Sequence, residues 1–136
     1  MKIAIFAIGK LKEKHWVLAQ CEYQKRIVSP FYTQLYEVKD EKDLLRQLPP
    51  KAHTVLCDES GDCWSSQELT DLLTHQPSVA FVVGGPDGFS DRLRKIAHAR
   101  LAFGRVTLAH DLARVILWEQ LYRAQTIFLG GPYHRK

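Results

Sequence analysis

Apolar residues along this 136-residue chain fall into short continuous runs, separated by longer amphipathic stretches. The first run, residues 3–8, stops at Gly9-Lys10 and reads as a strand covered on both faces. Residues 13–28 predict a helix, with Trp16, Val17, Cys21, Tyr23, Gln24 and Ile27 as an imperfect apolar stripe and Ser29-Pro30 as its end. A second strand follows over 34–38. Asp40 then caps a short helix that reaches Leu48, where Pro49-Pro50 closes it. Residues 54–57 predict a third strand leading to a turn at Glu59-Ser60-Gly61-Asp62. Ser65 or Ser66 starts the next helix, which runs to His75, and Glu68 completes a capping box with Ser65. The wholly apolar stretch 79–83 predicts a fourth strand that opens into Gly84-Gly85-Pro86-Asp87-Gly88. Ser90 caps a helix to about Ala99, residues 101–108 predict a fifth strand, and residues 112–125 give the clearest helix.

Strands and helices therefore alternate, which predicts a parallel α/β sheet in a single domain spanning residues 1–136. In such sheets ligands bind at the carboxyl ends of the strands. The opening apolar run is too short for a signal segment or a membrane span, so no membrane association is expected. The three cysteines, Cys21, Cys57 and Cys63, contain no C-x-x-C pair; they point to a reducing cytoplasm, with neither a zinc site nor a disulfide framework.

Charge adds an asymmetry that the net value of +4 conceals. Residues 1–88 hold 10 basic and 12 acidic side chains, whereas residues 89–136 hold 9 basic and 3 acidic ones. Seven of those nine are Arg, the side chain suited to bidentate phosphate contacts and base stacking. With glycine loops beside this segment, polyanion binding is expected, and RNA is the favoured partner.

The glycine loop after residues 79–83 matches neither G-x-G-x-x-G nor G-x-x-x-x-G-K-[ST], so the usual dinucleotide and nucleoside triphosphate fingerprints are missing. Its glycines let a ligand approach the backbone closely, which suits a cofactor without phosphate such as S-adenosylmethionine. A hydrolase built on Asp58, Ser65, Ser66, His110 and His134 lacks G-x-S-x-G, and both serines sit where helix caps belong. His98, His110 and Asp111 lack the spacing of a metal site, so no metal is expected.

Several segments gain meaning together. Leu56-Cys57-Asp58-x-x-Gly61 with Ser65-Ser66 comes first, followed by Phe81 through Gly88 and Thr107-Leu108-x-His110-x-Leu112-x-Arg114. Glu119-Gln120-Leu121-Tyr122-Arg123-Ala124 and Pro132-Tyr133-His134-Arg135 complete the order. The series closely resembles the ribosomal RNA large subunit methyltransferase H family, SPOUT-class enzymes that methylate N3 of a pseudouridine in 23S rRNA. The resemblance covers nearly the whole chain. It implies a parallel-sheet SPOUT fold with a C-terminal trefoil knot, a homodimer, and action on the assembled ribosome with S-adenosylmethionine as cofactor. By motif it places the cofactor at Leu56, at Gly84, and along Phe103, Gly104, Arg105, Val106, Thr107 and Leu108. The resemblance departs in the segment Leu101 to Val106, where the family usually has a Ser and this sequence has Phe103-Gly104-Arg105; a backbone contact would let Gly104 serve instead.

The resemblance also assigns roles to the last helix and the tail. His134 is the expected proton acceptor, because an unperturbed imidazole titrates near neutrality. Tyr133 is expected to stack on the target base, and Arg135 to bind a phosphate or base carbonyl. His110, Arg114 and Arg123 are expected RNA contacts, weighed equally against scaffold roles; for Glu119 and Arg123 an i,i+4 ion pair is the plain alternative. Trp118 is expected in core or interface packing. Two other readings stand beside the main one: a non-enzymatic RNA- or ribosome-binding module, and the same chemistry on another RNA such as tRNA.

Overall fold

In a computed structural model, which describes residues 1–134, the alternation becomes a five-stranded, wholly parallel sheet. The elements are β1 (Lys2–Ile8), α1 (Lys14–Arg26), β2 (Tyr32–Val38), α2 (Glu41–Gln47) and β3 (His53–Cys63), then α3 (Ser66–His75), β4 (Ser78–Val83), α4 (Asp91–Ile96), β5 (Ala99–Ala102) and α5 (His110–Leu129). The strand order is β2-β1-β4-β3-β5, with Ile5 opposite Phe81 and Val55 also opposite Phe81 across the two central pairings.

Both sheet faces are buried, which is why the central strands read as unbroken apolar runs. On one face Ile3, Ile5, Val55 and Phe81 pack with Leu69 and Leu73 of α3 and with Leu117, Trp118 and Leu121 of α5. On the other, Phe6, Leu56 and Val82 pack with Leu44 of α2 and Leu93 of α4. Burying each large side chain contributes roughly 1.5–3 kcal/mol, so α5, whose Leu117, Trp118 and Leu121 are fully covered, is a principal anchor of the first layer.

The predicted caps form. Asp40 accepts from the Asp43 amide at 2.9 Å, and Ser90 from the Leu93 amide at 3.2 Å. Ser65 and Glu68 exchange both bonds of a capping box at 3.0 Å, which commits Ser65 to capping and removes it as a nucleophile.

Helix α4 ends at Ile96, short of Ala99, which already belongs to β5, and α5 runs beyond 112–125 at both ends; two further differences concern the strands. The stretch Glu59-Ser60-Gly61-Asp62 continues β3 rather than turning, because β5 pairs with β3 on either side of it: Cys57 and Asp62 both lie opposite Leu101, with a bulge between them. Conversely, β5 stops at Ala102 instead of reaching Leu108, and residues 103–109 leave the sheet as a connection to α5. Pairing with β3, which no local pattern records, decides both boundaries.

Candidate active site

Where the strands end, three segments enclose a cleft of about 390 Å³. Cys57, Asp58 and Glu59 of β3 form one wall, Val83 of β4 with Gly84, Gly85 and Pro86 a second, and Leu101 through Gly104 a third. Val106, Thr107, Leu108 and Ala109 continue that wall to His110 and Ala113 at the start of α5. The location is the one an open α/β sheet reserves for ligands, and the volume falls in the usual range for small-molecule sites.

Two glycines are required there for different reasons. A Cβ on Gly84 would lie 2.9 Å from Cε1 of Phe89, so this backbone is close-packed against the ring on the cleft floor. Gly104 has φ +126, a conformation L side chains rarely adopt, so glycine is favoured at this point of the wall.

The polar centre of the cleft is Asp58, only 8% exposed. Its Oδ1 accepts from the amide and hydroxyl of Ser60 at 3.1 and 3.0 Å, and its Oδ2 from Nε of Arg94 at 3.1 Å. Burial opposes ionisation of Asp58, but the Ser60 bonds and the Arg94 guanidinium outweigh it and hold the carboxyl below its usual range. Cys57 responds the opposite way: burial, reinforced by the Asp58 charge, pushes its thiol up to about 12. It is a neutral wall residue, not a nucleophile. Sequence reasoning missed Arg94 and Phe89 here; its one available signal was an Asp at the carboxyl end of a buried strand.

Of the residues expected at the cofactor, Gly84, Phe103, Gly104, Val106, Thr107 and Leu108 line the cleft. Leu56 does not: it is fully buried in the core beside Val82, because alternation along β3 turns it toward α2 and α4 and leaves the wall to its successors. Arg105 is exposed and its side chain does not line the cleft.

The expected RNA contacts separate. His110 stands half-exposed on the rim, with Nε2 3.2 Å from the Asp111 carboxylate. Arg114 turns inward, 4% exposed; it donates to Gln20 Oε1 at 2.7 Å, to the Gly9 carbonyl at 3.4 Å and to the Glu37 carboxylate. The three partners belong to α1, to the end of β1 and to β2, so Arg114 clamps these elements to α5, the scaffold role that its sequence also allowed. Arg123 is paired with Glu119 at 2.7 and 3.1 Å, the plain alternative weighed from its spacing. Trp118 is fully buried in the core.

The tail folds back along α5. Tyr133 donates to Glu119 Oε2 at 2.8 Å, its ring 4.6 Å from that of Tyr122 and 4.9 Å below the Arg123 guanidinium. Burial, then the bond to Glu119, raises the Tyr133 phenol above its usual range. Nδ1 of His134 is buried without a hydrogen-bond partner among the described residues. Neither residue lines the cleft of its own chain, and Arg135 lies outside the described residues.

A family model described as predicted SPOUT methyltransferase matches residues 1–134. The chain belongs to the SPOUT methyltransferase family. It is 37% identical to ribosomal RNA large subunit methyltransferase H of Nitrosomonas eutropha, with 99% of both chains covered. To the protein of that name from Deinococcus deserti it is 39% identical, over 99% of this chain and 100% of the relative. Among solved structures, a probable methylase family protein from Haemophilus influenzae superposes with a TM-score of 0.65 at 12% identity, covering 98% of this chain and 70% of the other. The SpoU methyltransferase AviRb from Streptomyces viridochromogenes, in complex with AdoMet, gives 0.57 at 11% identity, covering 96% and 58%. At such identities these structures establish the fold alone. As a SPOUT methyltransferase, the chain keeps its glycine-loop cleft at the strand ends. Among the described residues there is no three-ligand His, Cys, Asp and Glu cluster for a metal, and no helix is long and apolar enough to cross a membrane.

Proposed function

We propose that this chain transfers a methyl group from S-adenosylmethionine to N3 of a pseudouridine in 23S rRNA, acting in the cytoplasm as a homodimer on the assembled ribosome. The knotted C-terminal path implied by the family resemblance belongs to the same reading. Near-full-length similarity to the large subunit methyltransferase H proteins supports the rRNA substrate. The observation that carries the cofactor is the cleft's chemistry. Its walls are glycine-loop backbone and apolar side chains, and Arg94, the one Arg or Lys lining it among the described residues, is committed to Asp58. Such a cleft suits a cofactor without phosphates, with Glu59, whose carboxylate is not tied up among the described residues as Asp58 is by Arg94 and Ser60, offering negative charge to a cationic one.

When bound, S-adenosylmethionine supplies an electrophilic methyl on a sulfonium, so the protein's task is orientation and proton handling. The Gly84 and 103–108 segments would hold the cofactor, largely through backbone groups. His134 takes the N3 proton as the base becomes a nucleophile, and Tyr133 stacks on the ring. Arg135 binds phosphate or a base carbonyl, His110 meets RNA at the rim of the cleft, and Arg123 meets it beside the tail. The position of the tail supports the dimer. Tyr133 is seated at Glu119, six residues and about 9 Å of helix beyond Ala113, where the cleft ends. A second subunit brings its own tail to the first subunit's cleft, which makes the site a shared one.

The test is methyl incorporation from labelled S-adenosylmethionine into ribosomes that lack the modification, followed by mass spectrometry of the 23S rRNA. Methylated pseudouridine is expected. A folded protein that binds ribosomes without incorporation would indicate a non-enzymatic module, and incorporation into tRNA instead would move the substrate. Removing residues 133–136, or His134→Ala, should lower turnover by roughly a hundredfold while leaving cofactor affinity nearly unchanged.

A further inference from the structure

The tail departs from α5 at Leu129, reverses through Gly130-Gly131, where the Gly131 amide bonds to the Thr126 carbonyl at 2.8 Å, and returns to the middle of the helix. Its point of return is Glu119. One oxygen of that carboxylate, Oε2, accepts from the Tyr133 hydroxyl at 2.8 Å and from Nε and Nη2 of Arg123 at 3.1 and 2.7 Å. The other, Oε1, accepts from Gln120 Nε2 at 2.7 Å. The Gln120 amide is itself held, since its Oε1 accepts from the Ser66 hydroxyl at 2.7 Å at the start of α3. Glu119 is thus tied to α3 on one side and grips the tail on the other, with its side chain 18% exposed.

We infer that Glu119 is a positioning residue: it fixes Tyr133, and through Tyr133 the adjoining His134, in the place from which the tail acts on the target base. The inference rests on the methyltransfer reading given above and adds a residue that this reading does not use. The Tyr133 side chain is held by the hydroxyl bond to Glu119, by the Tyr122 ring at 4.6 Å and the Arg123 guanidinium at 4.9 Å, with the Tyr23 hydroxyl also beside its phenol. Glu119 acts on Tyr133 twice, directly through the hydroxyl bond and indirectly because it also fixes Arg123. A tail of a few residues after a glycine turn has little else to order it, and ordering costs about 1–2 kcal/mol of backbone entropy per residue. Since a misplacement of about 1 Å can cost a hundredfold in rate, the anchor matters to turnover though it touches neither base nor cofactor.

Glu119→Gln removes the charge and keeps the shape, and Tyr133→Phe removes the hydroxyl from the other end of the bond. Each full-length variant is compared with wild type for turnover on ribosomes, for S-adenosylmethionine affinity by calorimetry, and for the ring proton resonance of His134. That resonance is assigned by its loss in His134→Gln. Glu119→Gln should lower turnover about tenfold or more, shift cofactor affinity less than about twofold, and move the His134 resonance toward that of a free imidazole. In a Tyr133→Phe background the same change should cost much less, because the bond is already gone. An unmoved His134 resonance, or fully independent effects of the two changes on turnover, would overturn the inference. If Glu119→Gln does not fold, Tyr133→Phe alone carries the test, with the same resonance shift expected. Should wild-type protein fail to methylate ribosomes, the proposed reaction falls, while the resonance still decides whether Glu119 holds the tail.

Discussion

Gly84 shows how one missing Cβ shapes the cleft. The residue directly follows a buried strand, and the Phe89 ring occupies the volume a side chain would need, 2.9 Å from the ideal Cβ. Phe89 is 8% exposed and packs in the same core cluster as Leu93, so it has little room to retreat. Overpacking of this kind costs about 1–3 kcal/mol. Gly84→Ala is therefore expected to weaken S-adenosylmethionine binding about tenfold, measured by calorimetry, because the ring it displaces lines the cleft. Unchanged affinity would mean that Phe89 moves freely and does not shape the site. At the same scale Gly104, at φ +126, holds a backbone conformation that a side chain would strain, in the wall of the cleft.

The start of α5 is joined to the rest of the molecule by Arg114, which reaches α1 through Gln20, the end of β1 through the Gly9 carbonyl, and β2 through Glu37. A planar guanidinium with five donors in a fork can serve three directions at once, which a lysine ammonium cannot. Arg114→Ala leaves the buried Gln20 oxygen unpaired and strips Glu37 of its partner. Glu37 is 30% exposed, so water recovers part of that loss, and the expected destabilisation is about 2–3 kcal/mol by urea unfolding. Arg114→Lys should recover only part of it. A midpoint equal to wild type in both variants would show that the clamp is dispensable. The predicted role in RNA contact rested on Arg114 lying in a basic, recognisable segment; neither charge nor spacing reveals which way a helical side chain points when three other elements supply its partners.

For the whole molecule, the decisive relation is between cleft and tail. The cleft closes against the first turn of α5, whereas Tyr133 is seated at its middle, and neither Tyr133 nor His134 lines the cleft of its own chain. The shared-site reading predicts complementation. Gly84→Arg, which fills the cleft, and a chain lacking residues 133–136 should each be inactive alone. Mixed and re-formed dimers should regain up to about a quarter of wild-type turnover, since half the dimers are mixed and each holds one intact pairing. No recovery in verified mixed dimers would place cleft and tail of the active site in the same chain. Much of this molecule was legible beforehand. The apolar runs set five strands, Asp40, Ser65 and Ser90 set three helix starts, and the glycine loop after residues 79–83 marked the cleft, because each depends on neighbours within a few residues. Tertiary structure alone decided the rest. It extended β3 through Asp62 by pairing with β5, turned Leu56 into the core and Arg114 onto Glu37, and laid Tyr133 against Glu119. Those outcomes depend on partners far away in the chain or across a turn, which local periodicity does not encode.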